Sequence, residues 1–462
     1  MGIRGLELRG LKPVRRKGRS RDHESNGHRF ARWCVASVLV ALLLSGLPAP
    51  VAGTSPSPGK TVFARPALCL GTHAAKGCEA SVAVSSKKAK KQAKSCKAKT
   101  RKHTKRCVLQ ARKKAKKAAK KKSKSTAGVN AKSGSSLPDG YGPAQFRGAY
   151  NLPAAASRSQ TIAIVTAYGS PNIEKDLRVY STTFSLRVCS SANGCFRKVN
   201  GVGKKAPLPA RNALWALETS LDVEVAHAVC PNCKILLVEA ASGSVSDLLT
   251  AVDTAVRLGA DVISNSWVVD EFRGETTLDS HFNRSGIAIT AASGDSGYGV
   301  KWPAASPYVT AVGGTTLDLD SSNARVSETA WELGGSGCSA YESKPAWQSD
   351  GGCVRRTVPD VSAVADPGTG AAVYDSYGYS GRHGWFKVGG TSLGAPIVAA
   401  IYALAGNADT VVAGSHSYAH ASSLFDVLQG SNGTCSPAYL CTAAAGYDGP
   451  TGLGSPVGVK GF

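Results

Sequence analysis

Five short apolar runs between residues 160 and 312 constrain this chain more than any other feature. They are Gln160-Thr-Ile-Ala-Ile-Val165, Lys234-Ile-Leu-Leu-Val-Glu239, Asp261-Val-Ile-Ser264, Gly286-Ile-Ala-Ile-Thr-Ala-Ala292 and Tyr308-Val-Thr-Ala-Val312. Each is short for a helix and lacks the alternation of a half-exposed strand. Each therefore reads as a strand buried on both faces, as parallel sheets require. Helical spacing appears between them. Leu214, Leu217, Leu221 and Val225 recur at intervals of three and four within 213–228. Residues 244–258 read as a second helix, with Ser244 or Ser246 as its N-cap. The alternation predicts an α/β fold with a doubly wound, mostly parallel sheet. Its functional site is expected in loops beyond the carboxyl ends of the strands.

Charge divides the chain. The net +25 is not spread evenly, because residues 87–125 hold 20 Lys and Arg and no acid. Residues 136–462 are mildly acidic, with 22 basic residues against 27 acidic ones. Three segments follow: 1–53, a leader and signal peptide; 54–135, a low-complexity Lys-rich extension; and 136–462, the main domain. The apolar run from Val35 to Leu47 behind a basic leader reads as a secretory signal, cleaved near Ala52 or Gly53. Dense like charge without apolar residues predicts that 87–125 is disordered in isolation. Such a tract suits contact with an anionic polymer or cell surface; no specific nucleic acid is expected. The expected location is extracellular, with cell-wall association through the tract. Twelve cysteines outside the signal fall into close neighbours: 69/78, 96/107, 189/195, 230/233, 338/353 and 435/441. This pattern suggests short-loop disulfides in an oxidising compartment. The Cys230-Pro-Asn-Cys233 spacing leaves a redox or zinc motif open.

Gly389-Gly-Thr-Ser-Leu-Gly-Ala-Pro396 precedes an apolar, helix-like run to Leu404. Glycines let the chain turn sharply and present Ser392 at a helix start, where free N–H groups can receive a developing oxyanion. A serine nucleophile needs a base. The five histidines of the main domain (His227, His281, His383, His416 and His420) all sit in contexts that read as surface or packing positions. Carboxylates can serve instead. Glu218 and Asp222 lie one helical turn apart on one face. Two close carboxylates cannot both ionise easily, and a singly ionised pair can take the serine proton and return it. The apolar neighbours Leu217 and Leu221 predict partial burial. Asp295, in Ser293-Gly-Asp-Ser-Gly297 at the end of an apolar strand, can donate to an oxyanion only when protonated. All three elements point to an acidic working range.

The ordered set Glu218-Thr-Ser-Leu-Asp222, Asn265-Ser-Trp267, Ser293-Gly-Asp-Ser-Gly297, Pro303-Ala-Ala-Ser-Pro307 with Val312-Gly-Gly314, Gly390-Thr-Ser392 and Gly446-Tyr-Asp448 with Thr451-Gly-Leu-Gly454 resembles the sedolisin family of serine-carboxyl peptidases, over residues 138–462. The resemblance implies a subtilisin-like fold and endopeptidase action on proteins or peptides at acid pH. It implies Glu218 as base, Asp222 as its partner, Ser392 as nucleophile and Asp295 as the oxyanion acid, with Trp267 beside the acid pair. It also implies one structural Ca²⁺, with carboxylates from Asp426 and Asp448 and backbone carbonyls from Val427, Ala444 and Gly446. Three departures stand out. Thr166 follows the first strand where many relatives have an acid. Leu393-Gly394 replaces a smaller pair after the nucleophile. Residues 54–135 are too short and too Lys-rich for the usual folded pro-domain. The chain is read as a monomer. Two other readings are a non-catalytic relative that only binds, and a polyanion-binding protein acting through 87–125.

Overall fold

The computed structural model describes residues 62, 64–67, 69–70 and 137–462. The signal peptide, the Lys-rich tract and the cysteine pairs 69/78 and 96/107 lie outside these residues wholly or in part. Strands are numbered along the chain: β1 (Arg65–Pro66), β2 (Cys69–Leu70), β3 (Thr161–Ala167), β4 (Phe196–Asn200), β5 (Lys234–Ala240), β6 (Val262–Asn265), β7 (Trp267–Asp270), β8 (Ala288–Ala292), β9 (Lys301–Trp302), β10 (Thr310–Leu319), β11 (Arg325–Ala330), β12 (Gly337–Ser343), β13 (Arg355–Val358), β14 (Val361–Val364), β15 (Ala371–Tyr379) and β16 (Arg382–Gly389). The main helices are α1 (Pro143–Tyr150), α2 (Ile173–Thr183), α3 (Ala213–Val229), α4 (Val245–Arg257) and α5 (Thr391–Ala405).

The eight-stranded central sheet runs β11-β10-β8-β6-β3-β5-β4, with β14 also on β10. All pairs are parallel except β10 with β11. From β3 the chain moves outward to β4 and β5, then returns to the other side of β3 as β6, β8 and β10. That reversal opens a crevice at the carboxyl ends of the central strands. All five apolar runs are strands of this sheet. The first extends two residues further than its pattern suggested, so Thr166 lies inside β3 rather than after it. The last continues to Leu319, where antiparallel pairing with β11 carries it beyond its apolar run.

Helices cover both faces. Helix α4, capped by Ser244 Oγ accepting from Asp247 N–H, packs on one face with β7 and β9. Helices α3 and α5 pack on the other. Both are enclosed on nearly every side: α3 is buried from Trp215 to Val229, and α5 from Thr391 to Leu404. A helix apolar all round is what such a central position demands. Asn212 starts α3 by accepting from Leu214 and Trp215 N–H at 3.1 and 3.2 Å. Disulfides join Cys189 to Cys195, Cys230 to Cys233, Cys338 to Cys353 and Cys435 to Cys441. The Cys230/Cys233 pair is thus a cystine. Among the described residues no helix is long and apolar enough to cross a membrane.

Candidate active site

Four side chains singled out in the sequence converge at the carboxyl end of the sheet. Glu218 and Asp222 come from the middle of α3, Ser392 from the first turn of α5, and Asp295 from the loop after β8. Glu218, Asp222 and Ser392 are fully buried, more than the partial burial expected, and Asp295 is 8% exposed. Gly390 makes the turn before Ser392 at φ +105°, and a side chain there would strike the Ala67 carbonyl and the Asp295 carboxyl. Only glycine fits both the angle and the space.

Among the described residues no cation offsets the charge of the acid pair. Burial pushes the Glu218 carboxyl well up, and the neighbouring Asp222 charge pushes it further; Ser392 nearby opposes the shift. Burial likewise raises Asp222 well above its ordinary range, opposed by the Ser266 hydroxyl. Ser266 Oγ donates to Asp222 Oδ1 at 2.6 Å. The Ser392 hydroxyl is 3.3 Å from the Ser266 carbonyl. Neither Glu218 oxygen has a well-formed hydrogen bond among the described residues. A rotation of the Ser392 side chain would turn its hydroxyl to Glu218.

Asp295 is held differently. Its Oδ1 accepts the N–H and the hydroxyl of Thr391, both at 2.8 Å. The Thr391 oxygen accepts in turn from Gly294 N–H at 3.0 Å. Burial raises the carboxyl to about 6 against these bonds. With Oδ1 taking two donors, a proton on Asp295 belongs on Oδ2. That oxygen faces the space beside Gly390. An acid there and the N–H of Ser392 can together hold an oxyanion.

Sequence reading missed Ser266 and Thr391 as orienting groups. Both lie in quoted motifs, but their partners are 44 and 96 residues away. A second device was also hidden. Pro396 has no N–H for the Ser392 carbonyl four residues back, and that carbonyl lies 3.4 Å from Ser266 Oγ. Trp267 is buried against Trp302, with ring centroids 5.9 Å apart. Thr166 bonds Thr219 on α3, oxygen to oxygen at 3.1 Å. Gly394 leaves only 3.1 Å between an added Cβ and Val312, so the Leu393-Gly394 pair lets α5 approach β10. Among the described residues, the histidines whose contacts are seen bond elsewhere. Buried His227 bonds the Arg187 carbonyl at 2.9 Å, His281 bonds Asp253, and His416 stacks on His420.

At the second expected site, Asp426 and Asp448 come together. Asp426 Oδ2 accepts from Gly446 N–H at 2.8 Å, and Asp448 Oδ2 from Ala444 N–H at 3.0 Å. Asp426 Oδ1 is buried without a hydrogen-bond partner among the described residues. Asp448 is fully buried and raised to about 7 by that burial, with the Asp426 charge adding to it. Two close carboxylates and an orphaned oxygen fit a hard divalent cation. The described Cys/His/acid cluster Cys189, Cys195 and His227 does not, because its sulfurs are bonded to each other.

Residues 210–415 match the Subtilase family model. The chain is 29% identical to sedolisin of Pseudomonas sp. (strain 101), over 68% of this chain and 60% of that protein. It is 31% identical to kumamolisin of Bacillus sp. (strain MN-32), over 71% of this chain and 64% of that protein. It therefore spans less than two thirds of the length of these relatives. A solved structure of Pseudomonas sedolisin, described as a serine-carboxyl proteinase complexed with two molecules of pseudo-iodotyrostatin, matches with a TM-score of 0.60 at 28% identity. That match covers 70% of this chain and 96% of the solved one.

Proposed function

The chain belongs to the sedolisin family on the subtilisin-like fold, and on that premise we propose that it is a serine-type endopeptidase that cleaves proteins or peptides in acid. The observation that carries the reading is the buried pair Glu218/Asp222 beside Ser392, with no cation among the described residues to offset it. Glu218 accepts the Ser392 proton as Oγ attacks the substrate carbonyl. Asp222, anchored by Ser266, shares the pair's proton and keeps Glu218 basic. Glu218 then passes the proton to the leaving amine. Protonated Asp295 donates from Oδ2 to the oxyanion, joined by the Ser392 N–H. Water repeats the cycle on the acyl-serine ester.

The sign of the pH dependence follows from the acids. Asp295, raised to about 6, donates only while protonated, so activity falls as pH rises past that value. The acid pair works singly ionised, which sets the lower limb. Hydrolysis of a denatured protein should therefore be fastest in acid. Ser392→Ala, Glu218→Gln and Asp222→Asn should each lower kcat by at least about 1,000-fold. A neutral or alkaline optimum, or near-normal rates in either amide variant, would overturn the assignment. Labelling of Ser392 by an active-site aldehyde separates this reading from a relative that only binds.

Asp426, Asp448 and the carbonyls of Val427, Ala444 and Gly446 would hold Ca²⁺ as a structural tie. The oxidised cysteine pairs support an extracellular setting. There the Lys-rich tract would hold the enzyme to anionic cell-wall polymer, and salt-dependent binding of the full chain tests that role.

A further inference from the structure

Residues 64–67 cross the site as an extended peptide and show what the cleft accepts at each place. The Ala67 carbonyl accepts from Ser392 N–H at 2.9 Å, and Ala67 N–H donates to the Ser266 carbonyl at 3.3 Å. A side chain added at Gly390 would strike both the Ala67 carbonyl and Asp295 Oδ2, so the two oxygens border one space. That is where the oxygen of an attacked carbonyl is received. Ala67 therefore marks the place of the acyl residue, the one whose carbonyl the nucleophile attacks. Past Ser392, β2 pairs antiparallel with β16, Leu70 opposite Val388 and Cys69 opposite Gly389.

The side chain at that place has little room. Ala67 is 2% exposed and packs with Val268, Ala292 and Ala395, each buried. These walls are fixed from behind. Ala292 ends β8 and pairs with Val312 of β10. Ala395 belongs to α5, which Gly394 brings close to that same Val312. Ser293 and Gly294, next along from Ala292, are backed by Gly335, where an added Cβ would strike the Ser293 carbonyl. The Lys301 stem lies on Gly294, and its ammonium donates to Asp270 Oδ1 at 2.5 Å, which ties the loop after β8 to β7. Backbone and methyl groups packed in this way cannot retreat before a larger side chain. The preceding place is different. Strand β1 pairs antiparallel with β7, Arg65 opposite Val268 and Pro66 opposite Trp267. Ala67 N–H points to β7, while Ala64 N–H points to the other flank and donates to the Gly243 carbonyl at 2.6 Å. By that alternation the Pro66 nitrogen faces away from β7, so a proline there costs the pairing with β7 no hydrogen bond.

We propose that the socket of Val268, Ala292 and Ala395 selects a small apolar acyl residue, alanine foremost, in the proteins and peptides this chain cleaves, and that the cleft accepts proline immediately before it. The inference names the substrate class of the peptidase site above and rests on that reading. Selection acts on the reaction itself. A side chain too large for the socket holds its carbonyl off the Ser392 N–H and Asp295, where the oxyanion must form. Of the three walls, Val268 carries the largest side chain, and shortening it deepens the socket without touching α5 or β8.

The test gives the full chain, in acid, a denatured protein whose cuts are mapped by mass, and peptide anilides of the sequence Val-Phe-Ala-Arg-Pro followed by Ala, Leu or Phe. The chain's own segment competes equally with every peptide, so ratios between them are unaffected by it. Cuts in the protein should fall mainly after Ala, and kcat/KM for the Ala anilide should exceed that for Leu or Phe by at least about tenfold. Val268→Ala should lower the Ala-over-Leu ratio at least about fivefold. Peptide aldehydes ending in the same three residues should inhibit in the same order. Replacing the proline of the Ala anilide by alanine should change its rate less than about threefold; a tenfold gain overturns the proline clause. Cuts mainly after large residues, or an unchanged ratio in folded Val268→Ala, overturn the socket and leave the peptidase reading standing. No hydrolysis of any substrate removes both.

Discussion

Ser266 has one hydroxyl proton and two acceptors, Asp222 Oδ1 at 2.6 Å and the Ser392 carbonyl at 3.4 Å. The shorter contact wins, and it favours the ionised form of Asp222. Removing it in Ser266→Ala should raise the acid pair, so the lower limb of the pH–rate profile moves to higher pH. The value of kcat should fall about tenfold, in line with losing a hydrogen bond to a charged group. Ser266→Thr keeps the hydroxyl and should restore the profile, which a merely structural role would not predict. The acid pair itself was legible in the sequence because helical spacing fixes which side chains share a face. Ser266 and Thr391 were not, because their partners come from distant strands and loops that only the folded chain brings close.

The strands that sequence reading found share a property: they are buried on both faces and carry unbroken apolar runs. Strand β4 reads Phe-Arg-Lys-Val-Asn and lies at the sheet edge with Arg197 exposed, so no run marks it. The β15–β16 hairpin is partly exposed and broken by polar residues, and it also escaped. The loops carrying Asp426 and Asp448 have no periodicity, and only resemblance pointed to them. Their paired carboxylates repel unless a cation lies between them. Chelation should therefore lower the melting temperature, and added Ca²⁺ should restore it. The expected loss is about 2.7 kcal/mol relative to Ca²⁺ at 100 times its dissociation constant. Asp448→Asn should abolish the difference between chelated and Ca²⁺-loaded protein.

The whole molecule buries many acids. Besides Glu218 and Asp222, burial raises Glu275 to about 8 and Glu342 to about 9, each pushed further by acidic neighbours in a cluster with Glu271 and Asp279. A carboxyl raised in the folded state contributes stability below its ordinary value and loses it as pH climbs through the raised one. His227 acts oppositely. Burial lowers it to about 4, so its contribution fades as pH falls from 6.5 towards that value. The carboxyls outnumber it. The melting temperature should thus decline from pH 5 to pH 9, and Glu342→Gln should flatten that decline. A flat or rising curve in the native chain would contradict this balance.

Ser392, Glu218 and Asp222 are fully buried, with the carbonyl of Ala67 accepting from the Ser392 N–H. On the proposed mechanism, water for the second half-reaction enters only after part of the bound peptide has departed. On that mechanism the acyl half would stay bonded to Ser392, so the amine half would leave first and vacate the side flanked by β16. Departure order is then imposed by the shape of the chamber. A concentrated peptide amine entering by the same door should compete with water and yield a newly joined peptide.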